Sequence, residues 1–141
     1  MALILNGLQF GAGEAQGQIL ISQEPLSFWG GYDYQTGEII DRRHPLSGQI
    51  AAGKILAIPF TRGSSTTTAV LLEAIRAGKA PAAIITTNID RFLALASIVA
   101  DELYAISIPM VALNQQDFSN LESEAWVEVK NDGKIEFLSI K

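Results

Sequence analysis

The middle of the chain alternates between two hydrophobic patterns. Continuous apolar runs at 55–58 and 82–86, and a third at 106–113, predict strands that are covered on both faces. Between these runs, apolar residues recur with a helical period over 67–77 and 91–103. Strand–helix–strand–helix–strand is the pattern of right-handed parallel crossovers, so this part is predicted to form a parallel α/β unit.

Each predicted helix has a candidate first residue and an apolar face. Ser64 or Ser65 can cap the first helix and Gly78 can end it, whereas Asn88 or Asp90 can cap the second. The residues predicted to face the core are Val70, Leu71, Ala74 and Ile75 in the first helix, and Phe92, Leu95, Ala96, Val99 and Leu103 in the second.

The first part of the chain predicts short strands and turns. One strand is expected at 18–22 and another at 38–41. Gly11, Gly13 and Gly17 precede the first of these strands, and glycine at this density predicts an irregular approach to it.

The last part of the chain predicts an antiparallel hairpin. Residues 125–130 and 134–140 alternate in polarity around Asn131-Asp132-Gly133, which is a strong hairpin turn signal. A short connector is expected at 115–121. Within the third central strand, Pro109 predicts a sheet edge or a bend, because proline cannot donate to a strand ladder.

Composition narrows the class of protein. The chain has 141 residues, of which 48% are hydrophobic and 18% charged, so we expect one folded domain over 1–141. The net charge of -5, without a basic cluster, makes nucleic acid and anionic membranes poor partners. There is no cysteine, which excludes disulfides, a thiol nucleophile and an iron–sulfur cluster held by thiolates of this chain. We expect a soluble, cytoplasmic protein that binds no metal itself.

The loop at 62–65 is the main candidate for chemistry. It lies between a predicted buried strand and a predicted helix, where unpaired backbone N–H groups attract anions. Arg62 can clamp a carboxylate or phosphate, Gly63 allows close approach of the backbone, and Ser64 or Ser65 can bond the same anion. On spacing alone the simpler interpretation, a serine that only caps the helix, is favoured.

Two other features are open to alternative interpretations. The single histidine, His44, precedes a proline and is expected to be a turn residue, with substrate contact as the second possibility. Phe28-Trp29-Gly30-Gly31 can line a ligand pocket, form a partner surface or plug the core.

Several segments of the chain resemble segments of the small subunit of the aconitase X family, and they occur in the same order. The resemblance covers most of the chain, and Ser-Phe-Trp-Gly-Gly and Arg-Gly-Ser-Ser are its most specific motifs. The matching segments are Glu24-Pro25-Leu26-Ser27-Phe28-Trp29-Gly30-Gly31, Thr36-Gly37-Glu38-Ile39-Ile40-Asp41, His44-Pro45-Leu46-Ser47-Gly48, Gly53-Lys54-Ile55-Leu56, Pro59 with Arg62-Gly63-Ser64-Ser65, and Lys79-Ala80-Pro81-Ala82-Ala83-Ile84-Ile85.

The resemblance implies a fold and a partner. The family's small subunit has the swivelling β/β/α fold of the mobile aconitase domain, here with a β-rich first part, central parallel strand–helix units and the C-terminal hairpin. It pairs with a large subunit that carries an iron–sulfur cluster, and in some members the two are fused. The length of this chain resembles the separate version, and its lack of cysteine agrees with a cluster held elsewhere.

The resemblance also implies roles for the loop. The family dehydrates hydroxy acids, and in aconitases a deprotonated serine in a Gly-Ser-Ser segment removes the substrate's proton. Transferred by motif, this role falls on Ser65 or Ser64, with Arg62, Gly63 and Thr66 as substrate-binding residues. The resemblance leaves two substrates, cis-3-hydroxy-L-proline, which is typical of bacterial members, and mevalonate 5-phosphate, which is typical of archaeal ones. The low charge content of this chain is typical of mesophilic proteins, so cis-3-hydroxy-L-proline is favoured and mevalonate 5-phosphate is the alternative.

One departure from the family pattern concerns the residues after the serines. Thr67 and Thr68 stand where the family often has Gly-Ser, and a β-branched Thr67 is expected to narrow the pocket. Two alternatives to an enzyme subunit are a non-catalytic anion-binding module and, supported only by the aromatic loop, a structural adaptor.

Overall fold

The computed structural model describes residues 3–139. The strands are β1 (Ile4–Asn6), β2 (Leu8–Gly11), β3 (Ala15–Ile21), β4 (Leu26–Ser27), β5 (Ile55–Ala57), β6 (Thr61–Arg62), β7 (Ala83–Thr86), β8 (Met110–Ala112), β9 (Trp126–Val129) and β10 (Lys134–Ser139). The helices are α1 (Ser65–Arg76), α2 (Arg91–Tyr104) and α3 (Gln115–Ser119).

Eight of the strands form one mixed sheet that closes on itself. Their order is β1-β10-β9-β3-β5-β7-β8-β2, with β3, β5, β7 and β8 parallel and the remaining pairings antiparallel. The two terminal strands, β1 and β2, are consecutive in the chain and separated only by Gly7. A single run of residues therefore carries both terminal strands of the sheet, and it pairs with β10 before Gly7 and with β8 after it.

The sheet separates two hydrophobic clusters. In β5, Ile55 and Ala57 point into the space enclosed by the sheet, whereas Leu56 points to the outer cluster, where α1 and α2 pack. This two-sided burial explains why the strand is a continuous apolar run rather than an alternating one. The predicted mixed α/β fold, with parallel central units and a C-terminal hairpin, is confirmed.

Helix α1 agrees closely with its prediction. The four residues predicted to face the core are all buried, and Gly78 follows the helix with a φ of 73°. The helix begins at Ser65, two residues earlier than expected, because the Ser-Thr-Thr-Thr segment lacks the apolar signal that marks a helix. Asp90 caps α2 as predicted, by accepting hydrogen bonds from two backbone N–H groups.

The predicted core face of α2 is wrong. Phe92, Leu95 and Leu103 are exposed, and of the predicted set only Ala96 is fully buried. The side that packs inward is Leu93, Ala96, Ser97 and Ala100. Because α2 carries apolar residues on nearly every side, its periodicity could not single out the buried face.

Two predictions about strands in the first part of the chain also need correction. Residues 38–41 form no strand, and only isolated bridges join Tyr32 to Ile39 and Glu38 to Ile50. Gly17 lies inside β3, not in an irregular approach to it. Residue 140 of the predicted hairpin lies outside the described residues.

The third central strand is shorter than predicted. Only Met110–Ala112 is extended as β8, and Pro109 directly precedes it. Since β8 lies between β7 and β2, the proline marks the start of an inner strand and not a sheet edge. The predicted connector contains α3. No helix in the described range combines the length and the apolar character needed to cross a membrane.

Candidate functional site

Two short strands bring the serine loop and the aromatic loop to the same edge. β4 and β6 pair in parallel, with Leu26 opposite Thr61 and Ser27 opposite Arg62. Parallel neighbours end at the same side, so the segment that begins with Phe28 leaves β4 beside the point where Gly63 leaves β6. The two motifs that carried the sequence resemblance are therefore spatial neighbours.

The backbone of the loop depends on Gly63. Its φ is 115°, a conformation that other residues rarely adopt. A Cβ atom there would lie 3.3 Å from the Thr67 hydroxyl and 3.4 Å from the Thr66 hydroxyl. Glycine thus turns the chain from β6 into α1 and leaves room around these hydroxyl groups.

Ser64 occupies the N-cap position of α1, but its hydroxyl does not cap the helix. Its backbone angles, φ -143° and ψ -127°, are not those of a typical cap, and the side chain makes no capping hydrogen bond. The residue contributes only its carbonyl oxygen, which accepts from the Thr67 N–H at 2.9 Å. The simpler interpretation favoured by spacing, a serine hydroxyl that caps α1, does not apply to Ser64.

The mouth of α1 is electropositive and open. Its first turn contains no acidic residue, so nothing there neutralises the partial positive charge of the free N–H groups. Arg62, Ser64, Ser65 and Thr66 are all exposed. Within residues 3–139, the ion pairs do not include Arg62. This arrangement can bind an anion and can stabilise a serine alkoxide.

An open cavity of about 370 Å³ lies beside the loop. It brings Gly63 together with the segment that begins α2, including Asp90 and a second guanidinium, Arg91. Its full lining is Phe60, Thr61, Gly63, Asn88, Ile89, Asp90, Arg91 and Phe92. Residues 88–92 were predicted only as the start of a helix. A capping motif in the sequence does not indicate that this segment will lie beside the loop at 62–65.

Thr67 and Thr68 are buried and do not line this cavity. Thr67 is fully buried and its hydroxyl donates to the Arg62 carbonyl oxygen at 3.5 Å. The Thr68 hydroxyl donates to the Phe92 carbonyl oxygen at 2.8 Å. The expectation that Thr67 narrows the substrate pocket stays a prediction, since Thr67 is buried beneath the loop and is not part of the lining of this cavity.

The aromatic loop divides between core and surface. Phe28 is fully buried and stacks on Tyr32 with ring centroids 5.1 Å apart, whereas Trp29 is 69% exposed. Trp29 and Tyr34 line an apolar surface cavity of about 460 Å³. Phe28 is therefore part of the core, as one of the three interpretations expected. Trp29 is not, and its side chain forms an exposed apolar surface.

His44 is a turn residue, as predicted. It is buried, and its Nδ1 accepts a hydrogen bond from the Leu46 N–H at 3.1 Å. Among residues 3–139, no group of three or more His, Cys, Asp or Glu side chains is placed to hold a metal ion.

A family model described as the aconitase X swivel domain matches residues 4–137. The chain belongs to this family. The fold agrees as well: the crystal structure of Thermococcus kodakaraensis aconitase X in its holo-form superposes with a TM-score of 0.86 at 34% identity, over 97% of this chain and 99% of that chain.

The most similar sequences fall into two groups. A cis-3-hydroxy-L-proline dehydratase of Pseudomonas aeruginosa is 47% identical over 89% of this chain and 21% of its own length, and one of Hypocrea jecorina is 42% identical over 92% and 22%. The chain thus spans about a fifth of the length of these relatives. A phosphomevalonate dehydratase small subunit of Methanothermobacter thermautotrophicus is 42% identical over 89% of this chain and 92% of its own length.

Proposed function

We propose that this chain is the small-subunit part of a hydro-lyase that dehydrates a hydroxy acid. The observation that carries the proposal is the exposed Ser64, which is the N-cap residue of α1 although its hydroxyl makes no capping hydrogen bond, and which follows Arg62 by two residues. A serine held this way is available for chemistry, with Ser65 as the neighbouring candidate. The relatives' names, cis-3-hydroxy-L-proline dehydratase and phosphomevalonate dehydratase small subunit, support the reaction class.

The loop can perform the proton-abstraction half of a dehydration. A serine hydroxyl is a weak base, so its alkoxide needs positive charge and hydrogen-bond donors nearby. The N–H groups at the mouth of α1 and the guanidinium of Arg62 supply both. The substrate's carbon-bound proton passes to the serine alkoxide, the new carbon–carbon double bond forms, and the hydroxyl leaves with the electron pair of the C–O bond. The leaving hydroxide takes up one proton to become water, and the serine gives up one proton to return to the alkoxide, so the net products are the alkene and water. Arg62, with Gly63 and Thr66 beside it, binds the substrate carboxylate.

The other half of the site is proposed to lie on a partner. The name "small subunit" in one group of relatives implies a large subunit, and the members of the other group are about four times as long as this chain. The chain has no cysteine, so its residues do not fit an iron–sulfur cluster ligated by thiolates. We therefore assign the family's cluster to the large subunit and expect no activity from this chain alone.

Cis-3-hydroxy-L-proline is the proposed substrate. The relative with 47% identity carries this name, against 42% for the phosphomevalonate dehydratase small subunit. Both substrates contain a carboxylate, so Arg62 does not distinguish them. Mevalonate 5-phosphate is the second candidate, because Arg91 in the cavity offers a further guanidinium that a phosphate could use.

The test is reconstitution with a large subunit of the family and assay of both substrates. We expect turnover of cis-3-hydroxy-L-proline, and Ser64→Ala or Ser65→Ala, whichever removes the base, should lower kcat by about 100-fold or more. Co-elution on size exclusion should be unchanged. Ser119→Ala, which removes an exposed hydroxyl on α3, is the matched control and should keep wild-type activity.

Near wild-type kcat in both serine variants would remove the mechanism. Turnover of mevalonate 5-phosphate alone would replace the substrate. If the reconstituted complex binds either anion but converts neither, the non-catalytic binding module becomes the better description.

A further inference from the structure

Asp90 is the most heavily bonded side chain at the edge of the cavity. Its Oδ1 accepts from the backbone N–H groups of Phe92 at 3.0 Å and Leu93 at 3.1 Å. Its Oδ2 accepts from the Thr61 hydroxyl at 2.5 Å and from the Thr61 N–H at 3.4 Å. A carboxylate has about four acceptor positions, so the side chain is fully used.

This saturation determines what Asp90 can do. A carboxylate with four donors has no lone pair free to take a substrate proton, although it lines the cavity. What it does is tie the first turn of α2 to β6. Arg62, the first residue of the serine loop, directly follows Thr61. The hydrogen bonds from Asp90 to Thr61 therefore hold the chain one residue before the loop begins.

Threonine hydroxyls fasten the same segment at other points. The N–H and hydroxyl of Thr87 both donate to the Pro59 carbonyl oxygen, at 2.9 Å and 2.8 Å. From the side of α1, Thr67 bonds the Arg62 carbonyl oxygen. The strand leading into the loop is thus held on both sides, and Asp90 is the one charged residue in this set.

We propose that Asp90 is a positioning residue that fixes Arg62 and the serine loop at the cavity edge through Thr61; this rests on the proposed function of the loop. The role follows from geometry. A serine base must lie within hydrogen-bond reach of the proton it removes, and a misplacement of about 1 Å can cost about 100-fold in rate. Gly63 turns the chain directly after Arg62 with a φ of 115°, so the place of the serines depends on where β6 ends.

The test separates the two sets of hydrogen bonds of Asp90: those to Thr61 and those that cap α2. Asp90→Ser leaves a good N-cap residue but is too short to reach Thr61. Thr61→Val removes the hydroxyl at nearly constant shape, and Thr61→Ser restores it. In the reconstituted complex we expect kcat/KM to fall about 10- to 100-fold in Asp90→Ser and in Thr61→Val, mainly through kcat, and to stay near wild type in Thr61→Ser.

Three further measurements exclude a purely structural effect. Asn114→Ala removes the side-chain cap of α3, far along the chain, and should leave kcat and KM unchanged. In the double variant Asp90→Ser with Thr61→Val, the second change should add little, because both act on one link. In NMR spectra of the full chain, the amide signals of residues 62–66 should shift in Thr61→Val and return in Thr61→Ser.

Wild-type kcat and KM in Asp90→Ser and Thr61→Val, beside an inactive serine variant, would overturn the positioning role and leave the proposed function intact. Full activity in both serine variants would instead overturn the proposed function. If both serine variants are fully active, the NMR spectra still test the positioning role. Amide signals of residues 62–66 that do not shift in Thr61→Val would then overturn it.

Discussion

At the scale of single residues, the aromatic loop is anchored by a buried phenol. Tyr32 is almost fully buried, stacks on Phe28, and donates its hydroxyl proton to the Lys79 carbonyl oxygen at 2.7 Å. Burial raises the pKa of Tyr32 well above its ordinary value of 10.0, since the phenolate would lose its hydration. The exposed Trp29 next to it thus stands on a rigid base.

This shift predicts a loss of stability in alkali. The unfolded chain releases the Tyr32 proton near pH 10.0 while the folded chain retains it. The stability is therefore fully present below that pH and falls above it, by up to about 1.4 kcal/mol per pH unit. In urea unfolding between pH 9 and 11.5, Tyr32→Phe should flatten the decline, and it should cost about 1 kcal/mol at pH 7 because the Lys79 carbonyl loses its donor.

The exposed Tyr34 supplies the control. Tyr34→Phe should retain the wild-type pH dependence, because its phenol is accessible to water in the folded state. An alkaline decline in Tyr32→Phe as steep as in the wild type would show that other groups cause it.

The sequence predicted part of the site residues but not how they are held. Arg62, Gly63, Ser64 and Ser65 could be selected because their motif is local. The partner of Thr61 is Asp90, 29 positions away, and this contact depends on how β6 lies against α2. An aspartate before a helix predicts a cap, and nothing in its neighbourhood shows that its second oxygen bonds another segment.

At the scale of secondary structure elements, α2 has more apolar surface than the core can cover. Leu93 on its inner side is fully buried, while Leu95 is 48% exposed and Ile98 60% exposed. The sequence predicts the existence and limits of such a helix well, because its length and cap are local properties. Which side faces the core is decided by the packing of α1 and the sheet, and a helix apolar on all sides does not reveal it.

The two leucines give a direct test of this correction. Leu93→Ala should lower the free energy of unfolding by about 2–5 kcal/mol, since it leaves a cavity in the core. Leu95→Ala should change it by about 0.5 kcal/mol or less. Urea unfolding of the isolated chain measures both, and equal costs would contradict the orientation of α2.

At the scale of the whole molecule, residues 4–11 connect the two ends of the sheet, because this segment pairs with one strand in its first half and with another in its second half. β1 pairs with β10 and β2 pairs with β8, so pairing switches at Gly7. The central parallel strands were predictable because each is a compact apolar run. The closing strands were not, because they are short, interrupted by glycine, and defined by partners more than a hundred residues away, such as Ile135 for Leu5.

The switch point predicts a large effect of a single methyl group. A Cβ atom on Gly7 would lie 2.2 Å from the Val111 Cγ1 and 2.8 Å from the Ala112 carbonyl oxygen, so β8 would have to move. Gly7→Ala should therefore cost about 3 kcal/mol. It should also accelerate amide hydrogen exchange in β2 and β8 more than in β5 and β7, because the closure loosens before the parallel centre.

Gly48→Ala is the matched control for this change. Gly48 has a φ of 86° but open space around its Cβ position, so alanine there introduces backbone strain without crowding, at about 1 kcal/mol. It should leave the exchange pattern of β2 and β8 unchanged. If Gly7→Ala costs no more than Gly48→Ala and exchange at the closure is unaltered, the run of residues 4–11 does not hold the two sheet edges together. The serine loop follows strands on the outer side of this closed sheet, so a loosened closure should lower stability well before it lowers the activity of the assembled enzyme.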